Sequence, residues 1–264
     1  MGGHLGIVLG FIAAAAPSAA WAGAWTMDEG HGQVVVGGLL SDATDAFSGS
    51  RSLQSTPRYG KFEAQGLIEY GVTDRFTLMA APGFQRIDIA PPTSATRSGA
   101  GYTEFGGRYR LWQDNGWVFS TQATARVPGT NETSNPAAIG YTDPEYDARA
   151  LLGKSFTLGG LAAFVDFEAA QRFRTGAPPN EFRFDASLGV RVAPKWLLLA
   201  QSLNVMSEGS GGLLFPAYDY SKVQLSVVYS LTPAWSLQFG GFSTVSGRNA
   251  LQENGLIAGV WYKF

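Results

Sequence analysis

Polar and apolar residues alternate one by one through segments of about ten residues along most of this chain. In residues 61–70 (KFEAQGLIEY), the side chains at odd positions are mostly polar or charged, and those at even positions are apolar or aromatic. A period of two is that of a β-strand whose faces meet different media. The same division recurs in residues 102–111, 117–127, 181–192 and 220–229, so the pattern predicts an all-β protein.

The connections between these segments are of two alternating kinds. Five are short and rich in turn residues, at 71–74, 113–116, 157–160, 193–195 and 231–234. Six are longer and polar, at 41–58, 86–100, 128–144, 174–180, 206–218 and 244–253. Short turns on one side and long loops on the other are typical of outer-membrane barrels. The arithmetic predicts a transmembrane up-and-down antiparallel β-barrel of about 12 strands, to within two, with the short turns in the periplasm.

Aromatic residues flank nearly every short turn. They are Tyr70, Phe76, Trp112, Trp117, Phe156, Trp196, Tyr229, Trp235, Tyr262 and Phe264. Such rings favour the headgroup level of a bilayer and form girdles around membrane barrels. Core packing in a soluble all-β protein is the alternative, but it does not require rings at one end of each strand.

The first residues predict export. Residues 5–16 are apolar, and Pro17 and the pattern Ala20-Trp21-Ala22 follow them, as in a signal peptide with its cleavage site. We therefore expect a cleaved signal peptide at residues 1–22, with cleavage near Ala22, and a single outer-membrane β-barrel domain at 23–264. The segment before the apolar run has no Lys or Arg, so a membrane anchor helix is the alternative, although the run is short for one.

Composition narrows the function classes. The chain has no Cys, a formal net charge of -2 and no block of like charge, which argues against thiolate metal sites and nucleic-acid binding. Its only histidines are His4 and His31, and His4 falls in the predicted signal peptide. Barrel enzymes use a histidine base, so we expect no enzyme, no cofactor and no metal site.

The last strand carries a specific signal. Residues 256–264 (LIAGVWYKF) put Leu256, Ala258, Val260, Tyr262 and Phe264 on one face. This arrangement resembles the C-terminal signature that outer-membrane barrels present to their assembly machinery, so Tyr262 and Phe264 are the predicted assembly signal.

Four further strings resemble the barrel family named for the MetA pathway of phenol degradation. They are EYGVTDRFTL (69–78), EFGGRYRLW (104–112), FRTGAPPNEFRFDASLGVR (173–191) and WLLLAQS (196–202). The resemblance implies an outer-membrane location and a transport role near the breakdown of aromatic compounds. It supplies no ligand motif that could be carried over to this chain.

If the apolar faces meet lipid, the polar faces line a lumen of mixed charge. The expected lumen residues are Lys61, Glu63, Gln65, Glu69, Arg75, Glu104, Arg108, Arg110, Arg126, Asp147, Arg149, Asp166, Glu168, Arg172, Arg183, Asp185, Arg191, Lys222 and Gln224. These groups either lock together as a structural network or leave a hydrated path whose charges filter solutes. An aromatic solute would also need an apolar pocket, for which the candidates are Phe84, Phe173, Leu213, Leu214, Phe215, Pro216 and Tyr218.

The sequence therefore predicts an outer-membrane channel or facilitated transporter for small solutes, including aromatic ones, with the loops at 86–100 and 128–144 as its entrance. An occluded barrel with a structural or interaction role, whose extracellular loops bind a partner, is the alternative. A membrane enzyme would need a base other than histidine. The expected partners are outer-membrane lipid, the outer-membrane assembly machinery and a small-molecule solute, and the oligomeric state is open.

Overall fold

The computed structural model of the protein describes residues 23–138, 140–211 and 215–264. The predicted signal peptide and its cleavage site lie outside these ranges, as do Leu213 and Leu214. Fifteen strand segments form one antiparallel sheet. In chain order they are β1 (Gly32–Phe47), β2 (Leu53–Thr73), β3 (Phe76–Ala81), β4 (Gly83–Ile89), β5 (Ala95–Ala100), β6 (Thr103–Asp114), β7 (Trp117–Val127), β8 (Glu145–Leu158), β9 (Leu161–Arg174), β10 (Glu181–Ala193), β11 (Trp196–Ser207), β12 (Asp219–Ser230), β13 (Trp235–Arg248), β14 (Ala250–Leu251) and β15 (Asn254–Lys263).

The sheet closes on itself. Val35 in β1 pairs with Leu67 in β2 on one side and with Trp261 in β15 on the other, so the first and last strands are joined. Three barrel strands are each divided into two segments. Pro82 separates β3 from β4, Gly101 and Tyr102 separate β5 from β6, and Gln252 and Glu253 separate β14 from β15. The segments therefore make twelve barrel strands, and the predicted closed antiparallel barrel is confirmed.

The outer surface carries the apolar side chains. Leu40, Leu225 and Leu256 are 62%, 61% and 69% exposed, although each lies on a strand whose alternate residues are buried. At the short-turn end, the ring of Trp196 packs against that of Tyr229 and the ring of Trp235 against that of Tyr262, each pair tilted with ring centroids 4.6 Å apart. An apolar band with an aromatic rim suits a surface covered by lipid.

The five predicted short turns are confirmed, but three of the long loops are shorter than predicted. Strands continue to Phe47, Ile89 and Arg248, so those loops shrink to residues 48–52, 90–94 and a turn at Asn249. The extensions of β1 and β13 have polar residues on both faces, which obscures the alternation that marks a strand. The extension of β4 does alternate, but in the opposite sense, with Ile87 and Ile89 buried and Arg86 and Asp88 on the outer face. The stretch at 128–144 remains a true loop with a 3₁₀ turn at Pro136–Ala138. In the part of the chain that is described, no helix is long and apolar enough to cross a membrane.

Candidate functional site

The residues that precede β1 enter the barrel from the short-turn end and form what we call the N-terminal plug (residues 23–31). Ala24 is fully buried, and its N–H donates to Asp166 Oδ1 at 2.8 Å. The hydroxyl of Ser120 donates to the carbonyl oxygen of Ala24, and Arg108 Nη1 donates to that of Trp25 at 2.9 Å. The backbone of the plug is thus bonded to three strands of the wall.

The lower half of the plug follows the turn between β2 and β3. Thr26 Oγ1 donates to the carbonyl oxygen of Asp74 at 2.7 Å, and the Met27 N–H donates to Thr77 Oγ1 at 2.8 Å. The Gly30 N–H donates to the carbonyl oxygen of Gly71 at 2.9 Å. These bonds satisfy backbone groups that would otherwise be left unpaired inside the barrel.

Above the plug, an ion pair spans the interior between β2 and β6. Arg108 Nη1 lies 3.2 Å from Glu69 Oε1, and the two side chains are 2% and 0% exposed. Gln33 donates to the same carboxylate, and Gln122 Oε1 accepts from Arg108 Nε at 3.1 Å. Such polar neighbours are required because a buried ion without them costs several kcal/mol.

Toward the long-loop end, the ion pairs join into a network across β7, β8, β9 and β10. Glu145 accepts a hydrogen bond from Arg126, and Arg174 Nε lies 2.9 Å from its Oε1 as an ion pair. Arg174 Nη2 also lies 3.1 Å from Glu181. In the same layer, Arg172 Nη2 is 3.2 Å from Asp147 Oδ2. Each of these carboxylates therefore either contacts more than one cationic side chain or shares its cationic partner with another carboxylate.

A second arm of this network lies on the same wall. Arg149 contacts Glu168, and it lies 3.2 Å from Asp185 and 3.4 Å from Asp147. Arg183 is 5% exposed and shares the inner face of β10 with Glu181 and Asp185. The guanidinium of Arg149 thus links three strands. Cross-strand ion pairs of this kind are the first of the two arrangements that the sequence allowed, the other being a hydrated path.

The opposite wall holds a separate triad. Glu253 lies between Lys61 Nζ at 3.0 Å and Lys222 Nζ at 2.8 Å, and it accepts from the hydroxyl of Ser41. The three charged side chains are at most 5% exposed. Lys222 also lies over the ring of Phe242 at 4.9 Å, a cation–π contact.

An apolar cap closes the long-loop end. It contains Ala43, Tyr59, Ile87, Ile89, Tyr102, Ala137, Tyr141, Val205, Phe215, Tyr218, Tyr220, Ala250 and Leu251. Tyr141 and Phe215 come from the loops at 128–144 and 206–218, so both loops fold inward. Tyr218 ties the cap to the charged layer, because its hydroxyl donates to Glu181 Oε1 at 2.6 Å.

One part of the interior is apolar where the sequence predicted a polar lumen. Val35, Leu197, Leu199, Val228 and Trp261 form a buried cluster at the short-turn half. Three of its residues lie on β11 and β12, and β11 is apolar on both faces near its start. The alternation therefore gave no way to tell which face of β11 looked inward, and the charged residues predicted for the lumen do not extend into this apolar part of the interior.

Most predicted lumen residues lie inside the barrel. Lys61, Glu63, Glu69, Glu104, Arg108, Arg126, Arg149, Asp166, Glu168, Arg172, Arg183, Asp185 and Lys222 are buried or half-buried on the inner faces of their strands. Arg110 and Arg191 are half-buried at the short-turn mouth. Arg75 is exposed, because it lies in the turn between the end of β2 at Thr73 and the start of β3 at Phe76, so its placement in the lumen was wrong.

The sequence reasoning also misplaced some aromatic residues and missed some charged ones. Phe84 and Phe173 are 43% and 48% exposed, so they do not line an inner pocket. Glu145, Arg174, Glu181 and Glu253 belong to the networks but fell at the ends of strands or in predicted loops. The signal was present: Glu145, Asp147 and Arg149 alternate, as do Glu181, Arg183 and Asp185.

Several solved structures of outer-membrane barrels resemble this fold. An outer membrane channel from Pseudomonas putida F1 superposes with a TM-score of 0.74 at 14% identity, covering 91% of this chain and 98% of that one. A KdgM porin in complex with disordered oligogalacturonate gives 0.55 at 9% identity over 88% and 99%, and a NanC porin gives 0.55 at 12% identity over 88% and 100%. At these identities the likeness shows the fold alone. No curated protein matches.

A family model covers almost the whole described chain. The family described as "Putative MetA-pathway of phenol degradation" matches residues 26–264, which include every strand and most of the N-terminal plug. The resemblance found in the sequence strings is therefore confirmed, and the chain belongs to this family.

Proposed function

We propose that this protein is an outer-membrane channel for small solutes, held closed in the conformation described above. The observation that carries the proposal is the column of buried ionic side chains that runs from Arg108 and Glu69 to Arg174 and Glu181. A barrel with only a structural role could fill its interior with apolar residues, often with equal or greater stability. Ionic groups instead suit a path that takes up water and solutes when it opens.

Two elements close this path. The N-terminal plug blocks the short-turn end, and the apolar cap with Tyr141 and Phe215 blocks the long-loop end. Both are made of irregular segments that lie against the wall rather than in it. Their displacement would expose the charged layers without breaking the closed sheet, so opening requires no change in the barrel itself.

The outer-membrane location is supported by the surface. The exposed apolar band and the aromatic rim match the outer surface of a barrel in lipid, where an apolar belt is bordered by aromatic residues at the membrane interface. We propose that residues 1–22 direct export, that 23–264 form one domain, and that the assembly machinery reads Tyr262 and Phe264, both of which face outward. Lipid and a small solute are then the partners of the folded protein.

An aromatic solute is supported by the family description, which names phenol degradation. A role as an enzyme has less support. His31 is exposed at the short-turn end, where its ring lies 3.1 Å from the carbonyl oxygen of Glu29. The similar structures above are those of an outer membrane channel and of porins.

A closed barrel with a structural or interaction role is the second candidate. The observation in its favour is that Lys61, Glu69, Glu181 and Glu253 are 3% exposed or less. Water therefore scarcely reaches these side chains, as expected of a network that stays closed.

Ion selectivity in planar bilayers separates the two candidates. Under a salt gradient, we expect the folded protein to pass current and the variant Arg126→Gln to shift the reversal potential toward cation selectivity, because an interior cation is lost. Arg86→Gln is the matched control, since Arg86 is exposed and, among the described residues, forms an ion pair with Asp88 alone. A reversal potential that moves equally in both variants, or a folded protein that never conducts, would favour the closed barrel.

A further inference from the structure

A cavity of about 200 Å³ opens at the short-turn mouth, beside the N-terminal plug. Its walls include Trp25 from the plug, Phe156 and Phe164 from β8 and β9, and Leu197 from β11. Ser155 and Arg191 supply polar groups. The cavity is therefore mostly apolar, with few polar groups, which is the usual composition of a small-molecule site.

Two aromatic rings define one side of this cavity. Trp25 and Phe164 meet edge to face, with centroids 5.8 Å apart and planes at 80°. The wall leaves room for both rings by using glycine: a Cβ at Gly153 would lie 2.6 Å from the Trp25 ring, and a Cβ at Gly189 would overlap the Phe164 ring. The position of the rings thus depends on specific residues of neighbouring strands.

Arg191 differs from four of the arginines deeper in the barrel. Its Nη1 donates to the carbonyl oxygen of Pro194 at 3.3 Å, and no carboxylate in the described parts of the chain lies within salt-bridge distance of it. Arg108, Arg126, Arg149 and Arg172 each have a carboxylate partner. A half-buried guanidinium without a counter-charge, beside an apolar cavity, is a place where an anion gains a charge-assisted hydrogen bond.

We propose that this cavity binds a small organic anion consisting of a flat apolar ring with one carboxylate or phenolate group. The ring lies against Trp25, Phe164 and Leu197, and the anionic group faces Arg191. The volume suits one ring, since an apolar cavity of about 150 Å³ is enough to hold benzene. The inference rests on the proposed function only in treating the short-turn mouth as the end at which a solute enters or leaves the barrel.

The test is equilibrium binding by calorimetry to the folded protein in detergent micelles. Benzoate is the probe, and benzyl alcohol and acetate are the comparisons, because one keeps the ring without the charge and the other keeps the charge without the ring. We expect saturable binding of benzoate, at least tenfold tighter than that of either comparison. Binding to protein-free micelles is subtracted.

Two variants assign the binding to the cavity. We expect Arg191→Gln to weaken benzoate binding tenfold or more and to leave benzyl alcohol unchanged, whereas Ala162→Leu, which narrows the cavity, weakens both. Arg75→Gln is the matched control, since Arg75 is exposed at the same end but lies outside the cavity. Heat-modifiable gel migration shows that each variant is folded.

The inference is overturned if benzoate binds no more tightly than acetate, or if Arg191→Gln and Arg75→Gln weaken it equally. Its failure is distinct from failure of the channel proposal. A protein that conducts but does not bind benzoate loses only the binding site. A protein that binds benzoate through Arg191 but never conducts loses only the channel.

Discussion

Arg108 bonds the N-terminal plug to the charged interior: its Nη1 donates to the carbonyl oxygen of Trp25 at 2.9 Å and lies 3.2 Å from the carboxylate of Glu69. The same guanidinium therefore holds a segment that blocks the barrel and belongs to the column of charges that we propose as the path. One side chain, that of Arg108, therefore contacts both the plug and the charged interior.

Cysteine labelling tests how firmly the plug is held. The chain has no Cys, so Ala24→Cys gives a single thiol at a fully buried position. We expect slow reaction with a hydrophilic thiol reagent in the folded protein. Adding Asp166→Ala removes the acceptor of the Ala24 N–H, and leaving a buried donor unpaired costs about 1–3 kcal/mol, so labelling should accelerate about tenfold.

The matched control for this labelling is Asp114→Ala, which removes an exposed turn carboxylate that bonds to Asn115 and does not touch the plug. Its labelling rate should equal that of Ala24→Cys alone. Equal rates in the Asp166→Ala and Asp114→Ala backgrounds would show that Asp166 does not hold the plug.

The fold was predictable because its signals are local. Strand alternation, turn residues and the aromatic rim are read within about ten residues, and they gave the twelve strands and the short turns. The ends of the strands were not predictable in this way, because β1, β4 and β13 continue beyond the apolar band, where the outer face no longer needs to be apolar. In β4 the apolar residues Ile87 and Ile89 instead face inward, into the cap.

The candidate site was only partly predictable for a different reason. Alternation places Arg108 and Arg183 inside, but it cannot say that Arg108 meets Glu69, or that Glu253 sits between Lys61 and Lys222, because these partners lie far apart in the chain. The plug carries no alternation, so no sequence pattern placed Ala24 against Asp166. Loops that fold inward likewise have no periodic signal.

Tyr218 and Tyr220 offer a matched pair for the cap. Both are buried, but the Tyr218 hydroxyl donates to Glu181, whereas the Tyr220 hydroxyl has no hydrogen-bond partner among the described residues. We expect Tyr218→Phe to lower the free energy of unfolding by about 1–3 kcal/mol, since it leaves a buried carboxylate short of a donor. Tyr220→Phe should change it by less than about 0.5 kcal/mol. Urea unfolding measures both, and equal losses would contradict the assignment.

Glu253 tests the triad on the opposite wall. Glu253→Gln leaves the buried ammonium group of Lys222 without its carboxylate partner and leaves Lys61 with Glu63 alone, at 3.6 Å, and removing one partner of a buried pair costs about 3–5 kcal/mol. The comparison is Asp42→Asn, which breaks an exposed pair with Arg58 and should cost about 1 kcal/mol or less. If both changes cost the same in urea unfolding, the interior around Glu253 is as well hydrated as the surface.

Phe264 tests the assembly signal. Its ring faces outward and stacks near Tyr262 with centroids 6.0 Å apart. We expect Phe264→Ala to reduce the amount of folded barrel in the outer membrane of cells while leaving folding in detergent intact. The variant Phe264→Trp, which keeps an aromatic ring, should reach the same amount as the unchanged protein. Loss of folding in detergent as well would assign the residue to barrel stability instead.

The most direct measurement of the central claim is the single-channel current of the folded protein with and without residues 23–31, in planar bilayers. If the interior is a path closed by the plug, the complete barrel opens rarely and briefly, and the variant without the plug conducts for a larger fraction of the time. A folded variant without the plug that stays as silent as the complete barrel would contradict the account, because the ionic interior would then be a lock and not a path.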